Sequence, residues 1–191
     1  MKLAADNKLP QIEFNTRIRN TDETNNPFEW KKMTTTDYFG GKKCVLFALP
    51  GAFTPTCSTS HLPGYEAQYS EFKKLGIDEV YCLSVNDCFV MRKWGLDQGL
   101  PEDKTPGSLG FKNVKLISDG AGEFTKALGM DCEWSHERGF GLRSWRYSCY
   151  VDDMVVKKAF IEAGKKDNSS PDPFEVSDAN TMLAYLRSLP L

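Results

Sequence analysis

No apolar run in the 191 residues approaches the roughly 20 that a bilayer-spanning helix needs; the densest, CVLFALP and YCLSV, are strand-sized. No membrane role is therefore expected. None of the six cysteines (Cys44, Cys57, Cys82, Cys88, Cys132, Cys149) pairs with another as Cys-x-x-Cys, and only two histidines, His61 and His136, could join them. Neither a structural zinc site nor any other metal or cofactor is expected from that set. An excess of one charge sign is also missing. With 24 Lys and Arg against 26 Asp and Glu, the formal charge is -2 and no basic stripe runs along the chain, so no nucleic-acid partner is expected. The opening MKLAADNKLPQ lacks the roughly 7–15 apolar residues of an export signal, which leads us to expect a cytoplasmic address where the cysteines stay reduced. There is no internal repeat or low-complexity block.

What is present supports one folded unit. Apolar residues make up 40% of the chain, including twelve Phe, seven Tyr and four Trp, enough for a core at a length typical of a single domain. Residues 1–10 are polar and read as a flexible segment, with a single domain over 11–191. Ile12, Phe14 and Ile18 alternate with polar residues as in a half-buried strand, and Phe28 and Trp30 suggest a second. Thr34, Thr35 and Thr36 suit a capped turn or short helix ending at Gly40-Gly41. Cys44 to Leu49 is a continuous apolar run, the mark of a strand covered on both faces.

From Cys57, the residues Leu62, Tyr65, Tyr69, Phe72 and Leu75 recur at helical spacing, predicting a helix to Gly76 with a kink at Pro63. Asp78 to Val85 is a second buried strand, Asn86-Asp87 caps a helix through Trp94, and Gly95 to Gly110 reads as a loop. Val114 to Ser118 is a short strand, Glu123 to Leu128 a short helix, and Arg146–Val151 with Val155–Ile161 an antiparallel hairpin. Ser177-Asp178 caps a terminal helix carrying Met182, Leu183, Leu186 and Leu189. The order predicts an α/β chain with a central mixed sheet, mostly parallel, flanked by helices and finished by a hairpin and a helix, a thioredoxin-like arrangement.

Chemistry is expected where the first buried strand meets the first long helix, because ligands of open α/β sheets gather beyond the carboxyl ends of the strands. The junction reads Pro50-Gly51-Ala52-Phe53-Thr54-Pro55-Thr56-Cys57. A free cysteine is most often a small buried hydrophobe. At the start of a helix, however, unpaired backbone N–H groups and the positive end of the dipole point at the sulfur and favour the thiolate, its reactive form.

The string PGAFTPTCSTSHLPGYE resembles the active-site segment of the peroxiredoxins, in the form Pro-x-x-x-Thr-x-x-Cys. Together with Ser84-Val85-Asn86-Asp87, Phe89-Val90-Met91, Gly139-Phe140-Gly141, Arg143-Ser144-Trp145-Arg146-Tyr147-Ser148, Phe160-Ile161-Glu162 and Val176-Ser177-Asp178-Ala179, it is similar to the type II, or atypical two-cysteine, branch. Within that branch the likeness is to the peroxiredoxin part of bacterial peroxiredoxin-glutaredoxin hybrids, and it extends from about Gln11 to the C-terminus. It implies a thiol peroxidase that reduces hydrogen peroxide and alkyl hydroperoxides. Cys57 would be the peroxidatic nucleophile that becomes a sulfenic acid. Thr54 would offer its hydroxyl, Arg146 a fixed cation and the Cys57 N–H a further donor, while Pro50 would shield the sulfur from water; these four residues would also bind the substrate. His61 matches a histidine of the branch.

The resolving cysteine of animal members has no counterpart in SSPDPFEVSD, whereas Cys82, 25 residues after Cys57, matches the second cysteine of plant members. Without a Cys-x-x-Cys module the resemblance implies outside electrons, from glutathione with a glutaredoxin or else from thioredoxin. It also implies a homodimer formed around the active-site loops, with Phe53 as one contact. Rival readings have less behind them. A thioredoxin-type reductase needs a cysteine where Ser60 stands, and a cysteine phosphatase needs an arginine where Pro63 stands. A cysteine protease would have only His136 to call on. A redox sensor or chaperone using the same thiol without turnover is the alternative that a turnover assay separates.

Overall fold

The apolar run after Lys42 becomes the middle of the molecule because its side chains serve two layers at once. In this computed structural model, which describes residues 3–20 and 25–190, β3 (Lys43–Ala48) sends Val45 and Phe47 into one apolar layer and Cys44, Leu46 and Ala48 into the other. Successive side chains of a strand point to opposite faces, so a strand covered on both sides must be apolar throughout.

The first elements are β1 (Glu13–Arg19), β2 (Phe28–Thr34) and α1 (Thr35–Phe39), followed by β3 and a π-turn at Cys57–His61. Next come α2 (Leu62–Ala67), α3 (Tyr69–Lys74), β4 (Glu79–Ser84), α4 (Cys88–Asp97), β5 (Lys115–Ser118) and α5 (Glu123–Ala127). The chain closes with β6 (Asp131–Glu133), β7 (Leu142–Ser144), β8 (Tyr147–Asp152), β9 (Val155–Ile161) and α6 (Ala179–Ser188). The thioredoxin-like sheet has the order β5-β4-β3-β8-β9, and the pairs β1–β2 and β6–β7 stand apart from it. Helices α2, α3, α4 and α6 bury Leu62, Tyr65, Phe72, Trp94 and Met182 on one face. The N-terminal segment, β1, α1 and α5 bury Leu9, Phe14, Tyr38 and Phe124 on the other.

Several expectations change. The mixed sheet flanked by helices is as expected, but its pairs divide evenly where mostly parallel ones were expected: β3–β4 and β4–β5 are parallel, β3–β8 and β8–β9 antiparallel. The late hairpin finishes the sheet as expected, with β8 paired to β3 and β9 forming the edge. Residues 3–10 are not a flexible tail. Leu3 and Leu9 are buried, and the Asp6 and Leu9 N–H groups donate to Val156 O and Met154 O at 2.8 Å. Two well-spaced leucines in a polar stretch suffice for that anchoring; residues 1 and 2 lie outside the described set. In β1 the inward residues are Phe14, Thr16 and Arg19, with Ile18 only half-buried. Helix α4 runs on to Asp97, into the stretch read as loop.

The single kinked helix from Cys57 is three pieces. Leu62 N–H reaches back to Cys57 O, a five-residue span, and the widened turn makes room for the ring of Pro63, which has no N–H to give. A second break falls at Gln68 (φ -99°, ψ 7°), which nothing in the spacing signals. The caps behave as expected: Thr34 and Asp37 form a capping box on α1, Asp87 caps α4 and Asp178 caps α6.

Candidate active site

Strand register brings the parts together. Ala48 on β3 faces Tyr147 on β8, so Arg146, just before β8, is delivered beside the loop that follows β3. Ala48 also faces Leu83 on β4, which brings Asn86 to the same end of the sheet. Asn86 Oδ1 accepts from Ala52 N–H at 3.0 Å and from Ser84 Oγ at 2.6 Å, fixing the loop between Pro50 and Cys57. Within that loop Phe53 takes φ +65°, a left-handed backbone uncommon for a bulky residue, and its ring is exposed.

Cys57 opens the π-turn with its side chain fully buried. Arg146, also buried, donates from Nη2 to Cys57 Sγ at 3.4 Å. The same Nη2 donates to both carboxylate oxygens of Asp172 at 2.9 Å, and Nη1 donates to His61 Nδ1 at 2.8 Å. His61 therefore carries its proton on Nε2, which donates to Ser177 O at 3.1 Å. Burial first, and the Arg146 cation second, hold its pKa well below the usual 6.5, so the ring is neutral. Tyr65 OH donates to the same Ser177 carbonyl at 2.8 Å. The Phe174 ring lies 4.8 Å from the His61 ring and 5.6 Å from the Arg146 guanidinium carbon.

The loop bearing Asp172 and Ser177 is tied down by one buried carboxylate. Glu162 accepts from the N–H groups of Glu175, Val176 and Ser177 at 2.8–3.0 Å and from Ser177 Oγ at 2.6 Å. Its own N–H donates to Arg146 O at 3.2 Å.

The residues expected to form the site lie on or beside the loop after β3. Thr54 Oγ1 donates to Gly51 O at 2.6 Å, so its hydrogen is committed to the loop and the oxygen offers lone pairs, not a proton, to an incoming group. Pro50 is buried, and its carbonyl accepts from Arg143 Nη1 at 3.1 Å. Sequence reasoning assigned no part to Arg143, Asp172 or Glu162. Arg143 and Glu162 lie inside segments of the recognised pattern, which was the available signal, whereas Asp172 lies outside them. His61 turns out to be a ring holding Arg146 in place.

The other five cysteines differ in kind. Burial pushes the thiols of Cys44 and Cys132 up to about 12 and those of Cys82, Cys88 and Cys149 upward as well, so they stay protonated. Cys82 sits mid-strand on β4, between Phe47 on β3 and Leu116 on β5, and its thiol is raised first by burial and then by its neighbour Cys57. Cys57 alone among the six has an arginine donating to its sulfur. Among the described residues no three His, Cys, Asp or Glu side chains gather as a metal site, and no helix is long and apolar enough to cross a membrane.

Comparison with known proteins is consistent across sequence and structure. Residues 4–183 match the Redoxin family model. A peroxiredoxin of Synechocystis is 51% identical over 181 residues, covering 94% of this chain and 89% of that protein. A hybrid peroxiredoxin of Haemophilus influenzae is 45% identical over 94% of this chain and 64% of its own length. Among solved structures, reduced Prx3 from Vibrio vulnificus in complex with hydrogen peroxide superposes with a TM-score of 0.74 at 36% identity, covering 97% of this chain and 96% of that one.

Proposed function

Since this chain belongs to the Redoxin family as a peroxiredoxin, a group of thiol peroxidases, we propose that Cys57 is the sulfur that attacks the peroxide, with Arg146, Thr54 and Pro50 forming its site. The reading is carried by the Arg146 Nη2 contact to Cys57 Sγ at 3.4 Å. The thiolate attacks one peroxide oxygen in line with the O–O bond, the second oxygen departs as hydroxide or alkoxide, and Cys57 is left as a sulfenic acid. Arg146 faces both the sulfur and the attacked oxygen. Its buried Nε–H, which has no protein partner among the described residues, is a donor held ready for substrate. Thr54 Oγ1 accepts the peroxide O–H and fixes its orientation. Pro50 closes the water side of the loop.

In this reading hydrogen peroxide and alkyl hydroperoxides are the substrates. The sulfenate is reduced by an outside thiol, glutathione with a glutaredoxin first and thioredoxin second. A cytoplasmic address belongs to the same proposal and is supported by six cysteines that are all free thiols. The test is steady-state peroxide consumption with each reductant system, against Cys57→Ser. Loss of turnover in the variant is expected. Consumption of no more than one equivalent by the wild-type chain with either reductant would support a sensing role instead.

Resolution by Cys82 is a second reading, favoured by its place in the same core layer as Cys57. A disulfide requires Cα atoms within roughly 7 Å and would draw the π-turn open. Peptide mass spectrometry after one equivalent of peroxide decides it: a Cys57–Cys82 link supports Cys82, and a mixed disulfide with added glutathione supports the one-cysteine cycle.

We further propose a homodimer through the loop end of the sheet. Phe53, Phe89 and Trp30 are exposed there, and Asn86, just before α4, binds the loop that carries Phe53. Sedimentation of Phe53→Glu with Phe89→Glu, expected to be monomeric, tests it against a dimeric wild type.

A further inference from the structure

Most of the side-chain hydrogens around Cys57 already have acceptors. Thr54 has spent its hydroxyl hydrogen on Gly51 O. Arg146 spends Nη1 on His61 and Nη2 on Cys57 and Asp172, and its Nε belongs to the same guanidinium that already touches the sulfur. These donors suit the sulfur and the oxygen it attacks. The departing oxygen lies on the far side of the attacked one, because displacement is in line, and it develops a full negative charge as the O–O bond breaks. A donor is needed there, beyond Arg146 Nε–H and the Cys57 N–H, which serve the sulfur and the oxygen it attacks.

Arg143 borders the same loop. It leaves β7 and crosses over the Pro50–Gly51 segment, donating from Nη1 to Pro50 O at 3.1 Å and from Nε to Phe140 O at 3.3 Å, with its guanidinium carbon 5.0 Å from the centre of the Phe140 ring. A Cβ on Gly51 would overlap Arg143 Nη1 and stand 3.3 Å from Thr54 Cγ2, so the guanidinium and Thr54 flank the same point. Among the described residues Arg143 Nη2 has no hydrogen-bond partner, although the group is half-buried. The Cys57 sulfur acts on it electrostatically, raising its pKa against the loss from burial.

We propose that Arg143 is a second catalytic guanidinium, whose unspent Nη2 hydrogens bind the departing oxygen of the peroxide. The inference rests on the reading of Cys57 given above. The thiolate lone pair forms the S–O bond, and the O–O electron pair leaves with the distal oxygen as hydroxide or alkoxide. Arg143 hydrogen-bonds that anion without giving up its proton, and water protonates the product.

The test uses oxidants whose leaving groups differ in basicity. Cys57 oxidation is followed by stopped flow in wild type, Arg143→Gln and Arg143→Lys, with hydrogen peroxide, tert-butyl hydroperoxide and peracetic acid. Loss of one such donor should slow the first two about 10–100-fold in Arg143→Gln. Peracetic acid, whose acetate departs unaided, should stay near the wild-type rate, and Arg143→Lys should recover part of the loss. Equal slowing with all three oxidants, or a parallel fall in the rate of Cys57 alkylation by iodoacetamide, would make Arg143 a support of the loop and overturn the proposal. An unchanged rate would do the same. A wild-type chain that leaves every peroxide untouched would overturn the Cys57 reading instead.

Discussion

Arg146 Nη1 donates to Nδ1 of His61 at 2.8 Å inside the core, so a guanidinium that stays charged is held by an imidazole that must stay neutral. A protonated ring would have no lone pair for Arg146 and would place a second cation beside it. The orientation of the cation beside Cys57 is thereby linked to the protonation of His61.

That link has a thermodynamic consequence. His61 has a folded pKa held well below 6.5 by burial and by Arg146, whereas in the unfolded chain it takes a proton near 6.5. Its contribution to stability is complete above about pH 6.5 and is lost as pH falls from there toward the folded value, by about 1.4 kcal/mol per pH unit. Urea denaturation of wild type and His61→Gln between about pH 7.5 and 5 should show the wild-type curve falling more steeply below 6.5 by that slope. Parallel curves would detach His61 from the acid sensitivity of the fold.

Arg146→Lys should leave the fold intact yet slow Cys57 oxidation by about 100-fold or more. A lysine ammonium is a single point and cannot meet His61, Cys57 and Asp172 at once as the planar fork does. Stopped-flow rates with hydrogen peroxide, beside matching circular dichroism, check this. A loss below about 5-fold would mean that charge alone, without the fork, is enough.

Glu162→Gln places an amide NH₂ among four donors that now share one carboxylate. Each donor left facing another donor costs about 1–3 kcal/mol, so a total loss of roughly 2–4 kcal/mol is expected. In a chain of this size that lowers Tm by on the order of 5–12 °C. Calorimetry measures it, and amide exchange at Glu175, Val176 and Ser177 should quicken more than in β3. Exchange that quickens uniformly would mean that Glu162 supports the whole domain and not this loop.

The legible part of the molecule was the part written in local patterns. β3 and β4 announced themselves as apolar runs, α4 and α6 by Asp87 and Asp178 at their caps, and Cys57 by its place between a buried strand and a helical period. Illegible was what register decides. That β8 lies beside β3, making the sheet evenly mixed and setting Arg146 next to Pro50, is a choice among pairings that alternation along one strand does not encode. The anchoring of Leu3 and Leu9 was hidden because two apolar residues in a polar segment look the same whether or not a partner surface exists. Asp172 and Glu162 were hidden for the opposite reason: a charged residue in a polar loop looks solvated until the fold buries its partner.

Gly51 supplies a prediction that joins the loop to Arg143. Its φ is not left-handed, so alanine is tolerated by the backbone, but the added Cβ falls on Arg143 Nη1, the far end of a flexible side chain that can swing away. Gly51→Ala should therefore cost little stability, about 1 kcal/mol or less, while breaking the Arg143 bond to Pro50 O. If Arg143 serves the departing oxygen, this variant should reproduce Arg143→Gln, slow with hydrogen peroxide and near normal with peracetic acid. Adding Arg143→Gln to it should produce little further loss, because both changes remove the same interaction. Multiplied losses in the double variant would show that Gly51 and Arg143 act on the reaction separately.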